Sequence, residues 1–524
     1  MGAAAVCILA MSSIAKSADG RSPARPNVVI VLADDLGFGD VSANNPECRI
    51  ATPHIDRLAT EGMRFTDAHT SSGVCTPTRY SLLTGRYHWR TRLQHGVLGG
   101  FSTPLIAAGR LTLPALLAEH GYHTACIGKW HLGMHWPLRG GGTADDRGDF
   151  SKPFPELGRV DYAAPISDGP VDRGFDHFYG ISASLDMFPY VWINDRLPTE
   201  IASVTKQFAT PARPGPAGPH FEAVDVQEKI IDHAVEWIGS RAADAKAGKP
   251  FFAYVPLAAP HTPILPTAKW RGTSGINDYA DFVKQVDAGM GRLLDALEAH
   301  GLSHDTLVIF TADNGCSPLA DIPSLVAAGH RPSFIYRGHK ADLYEGGHRV
   351  PFLVRWPARI KPASVCDQLI GQIDFMATFA EMVGGTLPAD AGEDSVSFLP
   401  ALDGTASGPI RTSLIAQSGN GSFAIRDRSW KLCLCPGSGG WSPPKPSDDT
   451  SGLPDMQLYD LSTDPGEQRN LEAAHPERVA AMRGMLEQAI ARGRTTAGPD
   501  QPNEVPIVMV KQARGSSRPA TGRK

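Results

Sequence analysis

A cysteine, a proline and an arginine stand at C-x-P-x-R spacing in CTPTRYSLLTGRY, which runs from Cys75 to Tyr87. Elsewhere, apolar runs end abruptly in acids. NVVIVLADD closes on Asp34 and Asp35, and TLVIFTADNG closes on Asp313 and Asn314 before a glycine. Three carboxylates and an amide oxygen are hard donors, suited to Ca2+ at roughly 2.3–2.6 Å or to Mg2+, and poorly suited to zinc. Crowded together without a cation, the acids would raise one another's pKa; a divalent ion removes that conflict. An Asp after a strand also serves as a helix N-cap, but the Asp-Asn-Gly partner on a second strand favours the metal reading. Lys129 in IGKWHLG, Lys340 in GHKADLYEGG and Arg79 add positive charge. His131 and His261 add imidazoles able to exchange protons near neutral pH.

These side chains need elements that bring them together. NVVIVL, TLVIF, PFFAYV and YHTACIG are continuous apolar runs, the pattern of strands buried on both faces of a parallel sheet. Each is followed by polar groups, so an open α/β sheet with its site along the carboxyl ends of the strands is expected. In NDYADFVKQVDAGMGRLLDALEAHG, Phe282, Val286, Met290, Leu293 and Leu297 step by four, four, three and four, an amphipathic helix that Gly301 ends. From about Arg411 short strand-like runs (SLIAQ, SFAIRDRSWKLCLC, MQLYDLSTDP) and a closing helix suggest a smaller α+β subdomain. The Gly-, Pro- and Ser-rich insert from Pro436 to Pro454 reads as a long loop.

The 524 residues suffice for one large domain and a smaller one. The expected limits are a leader over 1–18, a catalytic domain over 25–405, the subdomain over 406–495 and a loose basic tail over 496–524. With 42% hydrophobic and 20% charged residues the composition is that of a globular protein, and a formal charge of −5 gives no nucleic-acid footprint. The apolar stretch from Ala3 to Ala15 resembles a secretory signal peptide and is too short to anchor in a bilayer; export to the periplasm or outside the cell is expected, with no membrane span. Outside the leader stand seven cysteines, an odd number without C-x-x-C or zinc spacing, so one thiol is left over. Cys75 is the candidate.

The pieces LADDLGFGD, CTPTRYSLLTGRY, IGKWHLG, APHTP, FTADNG and GHKADLYEGGHRVPFLVRWP resemble, in order, the type I sulfatases, the formylglycine-dependent branch of the alkaline phosphatase superfamily. The resemblance covers Asn27 to about Leu471. It implies a large mixed, mostly parallel sheet flanked by helices, with a C-terminal α+β subdomain. It also implies sulfuric ester hydrolysis and oxidation of Cys75 to Cα-formylglycine by a formylglycine-generating enzyme. One hydroxyl of the aldehyde hydrate would attack sulfur, and the second, once deprotonated, would expel sulfate. By the same resemblance, Asp34, Asp35, Asp313, Asn314 and residue 75 hold Ca2+, with Mg2+ the lesser alternative. Lys129 and Lys340 lie near the sulfate, Arg79 near the formylglycine oxygen, His131 acts as base, and His261 with Lys340 protonates the leaving alcohol. Three carboxylates, one divalent ion, two lysines and one arginine carry a net charge of +2, which suits a singly charged sulfate ester.

GFDHFYGISASLDMFPY and YRGHKADLYEGGHRVP resemble carbohydrate sulfatases acting on galactose-type or N-acetylgalactosamine sulfates, implying a sulfated small molecule or glycan as substrate. Asp186, His339 and His348 are candidates for binding sugar hydroxyls, and the insert around Trp441 for a pocket wall. Two alternatives stay open: a phosphonate monoester or phosphodiester hydrolase of the same superfamily, and a sugar-binding pseudoenzyme whose cysteine is never oxidised.

Overall fold

The computed structural model describes residues 25–148, 154–209 and 211–511; the expected leader lies outside them. Ten strands form one sheet: β1 (Asn27–Ala33), β2 (Met63–Phe65), β3 (His123–Lys129), β4 (His177–Ile181), β5 (Ile193–Asn194), β6 (Leu197–Pro198), β7 (Phe251–Pro256), β8 (Thr306–Ala312), β9 (Phe352–Arg355) and β10 (Ser364–Cys366). Their spatial order is β10-β2-β9-β8-β1-β7-β3-β4-β5-β6. The four apolar runs read from the sequence are the contiguous centre β8-β1-β7-β3, and neighbours among them pair in parallel. β9 joins β8 antiparallel, and β5 joins β4 antiparallel, so the sheet is mixed at its flanks.

Every residue of β1 is buried. Val28, Ile30 and Leu32 face one apolar layer, Val29, Val31 and Ala33 the other, the period-two consequence of strand geometry. Burying a Val, Ile or Leu is worth about 1.5–3 kcal/mol, so Val28 to Leu32 together match the net stability of a typical domain of about 5–15 kcal/mol. The strand is therefore a rigid post for whatever follows it. On one face lie the helices α2 (Val226–Lys246) and α3 (Asp278–Ala299). The Asn277 side chain caps α3 by accepting from the Ala280 N–H, and Phe282, Val286, Met290, Leu293 and Leu297 are all buried. The other face is covered in part by α1 (Cys75–Thr84), a helix with all ten residues buried, closed by Gly85 at φ +65°.

A four-stranded antiparallel meander (β11 Ser413–Gln417, β12 Phe423–Asp427, β13 Trp430–Cys433, β14 Gln457–Asp460) and helix α4 (Pro476–Arg492) form the smaller C-terminal unit. It shares an apolar core with Tyr87, Trp89 and Ile373 of the larger unit. The insert 436–454 has no regular structure. The expected loose tail differs from the structure over 496–511. The Glu504 N–H donates to the Arg90 carbonyl (2.8 Å), Arg86 contacts Glu504 (3.0 Å), and Ile507 and Met509 pack on the shared core. Glu504 and the apolar residues Ile507 and Met509 supply that anchoring. No described helix is long and apolar enough to cross a membrane, and all seven described cysteines are free thiols.

Candidate active site

The site lies where the central strands end. Ala33 pairs with Ala312 in register, so Asp34 and Asp313 leave neighbouring strands at the same level. The Asp313 N–H donates to the Ala33 carbonyl (3.0 Å) and the Asp35 N–H to Asp313 Oδ1 (3.2 Å). Asp35 holds φ +65° and His131 φ +59°, a left-handed conformation that non-glycine residues avoid and that clusters at functional sites. A network absent from the sequence reading braces this turn. Tyr279 Oη donates to the Asp35 carbonyl (3.1 Å) and contacts Asp40 Oδ2 (2.6 Å), while His330 Nε2 contacts Asp40 Oδ1 (2.7 Å). Gly128, before Lys129, leaves no room for a side chain: a Cβ there would stand 1.9 Å from the Pro256 carbonyl oxygen on β7.

Each acid meets a cation. Lys129 Nζ lies 2.5 Å from Asp34 Oδ2, and Lys340 Nζ lies 2.7 Å from the Asp35 carboxylate. Arg79 Nε and Nη2 both donate to Asp313 Oδ2 (3.1 and 2.7 Å), and its Nη1 donates to the Lys129 carbonyl (2.9 Å). Arg79 therefore fastens an acid and a strand end; no contact with Cys75 Sγ is among its hydrogen bonds. Burial alone would raise the Asp34 carboxyl, but Lys129, His261, Arg79 and Lys340 outweigh it and hold Asp34 well below the usual carboxylate range. Burial and the neighbouring Asp34 push Asp313 up to about 6.

These groups fit a divalent cation. Ligand atoms of Asp34, Asp35, Cys75 and His261 all lie within 4.8 Å of one another. Asp34 Oδ1 and Asn314 Oδ1 are buried without a hydrogen-bond partner, a costly state for polar atoms that a cation would relieve. The Asn314 amide N donates to Asp35 Oδ1 (2.8 Å), which leaves its oxygen free. Hard oxygen donors of this kind match Ca2+ or Mg2+.

Cys75 is the first residue of α1, where free backbone N–H groups and the helix dipole favour negative charge. Even so, burial pushes its thiol up to about 12 despite Lys129 and Lys340. The unmodified side chain is thus a protonated thiol, a poor nucleophile. His131 Nε2 faces the Leu98 carbonyl (2.8 Å), so Nε2 carries the hydrogen and the buried Nδ1, which has no partner, keeps its lone pair. Burial, Lys129 and Arg79 hold this imidazole well below 6.5, hence neutral. His261 Nδ1 donates to the Thr262 carbonyl (2.6 Å), and Nε2 lies 3.7 Å from Asp35 Oδ2.

The three sugar-binding candidates fare differently. His339 adjoins Lys340, its Nδ1 3.1 Å from the Lys340 carbonyl oxygen, and is partly exposed. Asp186 follows β4 beside Tyr190, with Oδ1 buried and unpartnered; it is not among the groups gathered at the strand ends. His348 is a correction. It is buried in a separate charged network, with ring nitrogens 3.1 Å from His69 Nδ1, 3.0 Å from the Leu343 carbonyl and 3.1 Å from Lys431 Nζ. Lys431 bridges Glu345 and Glu467 there (3.0 and 2.9 Å), and this network leaves His348 no face for a sugar.

A family model described as Sulfatase matches residues 26–385. An N-acetylgalactosamine-6-O-sulfatase of Bacteroides thetaiotaomicron is 31% identical over 90% of this chain and 95% of its own length. Arylsulfatase A of Homo sapiens is 30% identical over 96% of this chain and 94% of its own. A solved structure described under glycosaminoglycan metabolism by Bacteroides thetaiotaomicron superposes with a TM-score of 0.75 at 30% identity, over 89% of this chain and 99% of that one.

Proposed function

The chain belongs to the sulfatase family and is a sulfuric ester hydrolase, and from that premise we propose that it removes sulfate from a sulfated carbohydrate of the galactose or N-acetylgalactosamine type. The observation that carries the chemistry is the buried cluster of Asp34, Asp35, Cys75 and His261, with Cys75 at a helix N-terminus and unpartnered oxygens on Asp34 and on Asn314, whose amide N donates to Asp35. The sugar class rests on the similarity to the bacterial N-acetylgalactosamine-6-O-sulfatase.

Asp34, Asp35, Asp313 and Asn314 would hold a divalent cation, calcium by the reading of the donor set. When bound, that ion withdraws charge from the sulfate and lowers the pKa of an oxygen it touches. Cys75, oxidised by a formylglycine-generating enzyme, would supply the hydrated aldehyde whose hydroxyl attacks sulfur. The remaining work belongs to this chain's own side chains. Lys129 and Lys340, each already paired with one acid, place positive charge along the sulfate site. His131, neutral with a free Nδ1 lone pair, is set to accept a proton. His261 Nε2 is oriented by its Nδ1–H contact with the Thr262 carbonyl and serves, with Lys340, to protonate the departing alcohol. Export to the periplasm or beyond, directed by residues 1–18, belongs to the same reading.

The test compares sulfated mono- and disaccharides, assayed with calcium, against phosphate and phosphonate monoesters of a shared leaving group. Preferential sulfate release from the sugars is the expected result. Preferential phosphonate or phosphodiester cleavage would overturn the substrate class, and binding without turnover would identify a pseudoenzyme.

A further inference from the structure

The insert 436–454 folds back onto the loop that carries Lys340. A single buried carboxylate joins the two. Asp342 Oδ1 accepts from the backbone N–H of Trp441 (2.8 Å) and of Ser442 (3.0 Å), and its Oδ2 accepts from the His339 N–H (2.9 Å) and the Ser442 hydroxyl. The Leu343 N–H donates to the Ser438 carbonyl (2.8 Å). Contact is so close that a Cβ on Gly440 would stand 2.3 Å from the Ala341 carbonyl oxygen; only glycine fits. Ala341 itself holds φ +73°.

With its backbone fixed this firmly, the Trp441 side chain would be expected to bury itself. Instead it is 45% exposed, and its ring centroid lies 5.8 Å from Lys340 Nζ, the ammonium that contacts Asp35. An exposed indole, fastened at the backbone and set beside the one lysine that reaches from this loop into the acids, is a flat apolar surface at the mouth of an anion site. Such surfaces recognise ligands having an apolar face next to polar groups. A sulfated pyranose has both, with C–H groups on one ring face and a sulfate at its edge.

We propose that Trp441 is the platform on which the sugar ring bearing the sulfate stacks, so that the C-terminal unit sets the substrate specificity of a site whose chemistry lies in the larger unit. This rests on the carbohydrate reading above. The Asp342 clasp holds platform and Lys340 at a fixed separation, so ring and sulfate are gauged together.

The experiment measures KM and kcat for the best sulfated monosaccharide, and the inhibition constant of inorganic sulfate, in wild type, Trp441→Ala and Trp441→Phe, with thermal unfolding as a check on folding. In Trp441→Ala, KM for the sugar should rise about tenfold, the equivalent of one lost aromatic contact. kcat and the sulfate inhibition constant should stay near wild type, and Trp441→Phe should recover most of the loss. An unchanged KM would overturn the proposal. So would equal weakening of inorganic sulfate, which would mean that the indole acts through Lys340 instead of touching the sugar. If the wild type hydrolyses aryl sulfates but no sulfated sugar, the carbohydrate reading itself fails, and the platform with it; that failure shows in the wild type, not in the variant.

Discussion

Arg79→Lys separates charge from geometry at the centre of the site. The guanidinium is fully buried and makes three hydrogen bonds, two to Asp313 Oδ2 and one to the Lys129 carbonyl. Lysine keeps the positive charge but offers one compact ammonium, which cannot span both acceptors. At least two of the three bonds are then lost, and at about 1.5–3 kcal/mol for each bond to a charged group the cost is about 3–6 kcal/mol. Arg79→Ala goes further by leaving Asp313 as a buried acid without its partner, a change worth about 3–5 kcal/mol even before the carbonyl is counted. Urea unfolding should show both variants destabilised. kcat/KM for a sulfate ester should fall by at least about 100-fold in Arg79→Lys, because Asp313 and the end of β3 lose their common brace. Wild-type stability and kcat/KM in Arg79→Lys would show that a positive charge alone suffices, and would refute the role assigned to the fork.

Removing divalent ions with a chelator should lower the unfolding midpoint and abolish turnover, and calcium should restore both. At a free concentration 100 times Kd, the stabilisation expected is about 2.7 kcal/mol; an unfolding midpoint indifferent to calcium would count against the acids as its site. Acid should also weaken the fold. Burial pushes the His88 imidazole down to about 3, against which its 2.7 Å contact with Gln417 is insufficient, and His69 and His348 are likewise lowered, first by burial. Below pH 6.5 the unfolded chain binds protons that the folded chain refuses. The stability His88 confers is thus complete above 6.5 and declines toward 3, by about 1.4 kcal/mol per pH unit, and His69 and His348 act in the same direction. His88→Gln should reduce the slope of unfolding free energy against pH by about one proton, and an unchanged slope would contradict the buried neutral state.

The central strands were legible because burial on both faces leaves a continuous apolar run, and because adjacent parallel strands necessarily bring their carboxyl ends together. That geometry made Asp34, Asp35, Asp313 and Asn314 readable as one group from two separate runs. The fastening of residues 496–511 was not legible, since Glu504 meets Arg90 across more than 400 residues of chain and no local pattern marks the contact. His348 misled for a similar reason. Its surroundings in sequence are polar and look exposed, but Lys431, 83 residues away, enters a buried network with it. The brace of Tyr279, Asp40 and His330 behind Asp35 was missed as well; Asp40 stands within LADDLGFGD, yet its partners lie 239 and 290 residues further along.

The account turns on residue 75 being an aldehyde in the active protein. Mass spectrometry of the peptide spanning Cys75, taken from the same preparation in which sulfate release is measured, addresses this directly. The fraction of residue 75 carrying formylglycine should rise and fall with specific activity across preparations made with and without a formylglycine-generating enzyme, and Cys75→Ala should be folded and inert. Full sulfatase activity from protein whose residue 75 is entirely thiol would contradict the account.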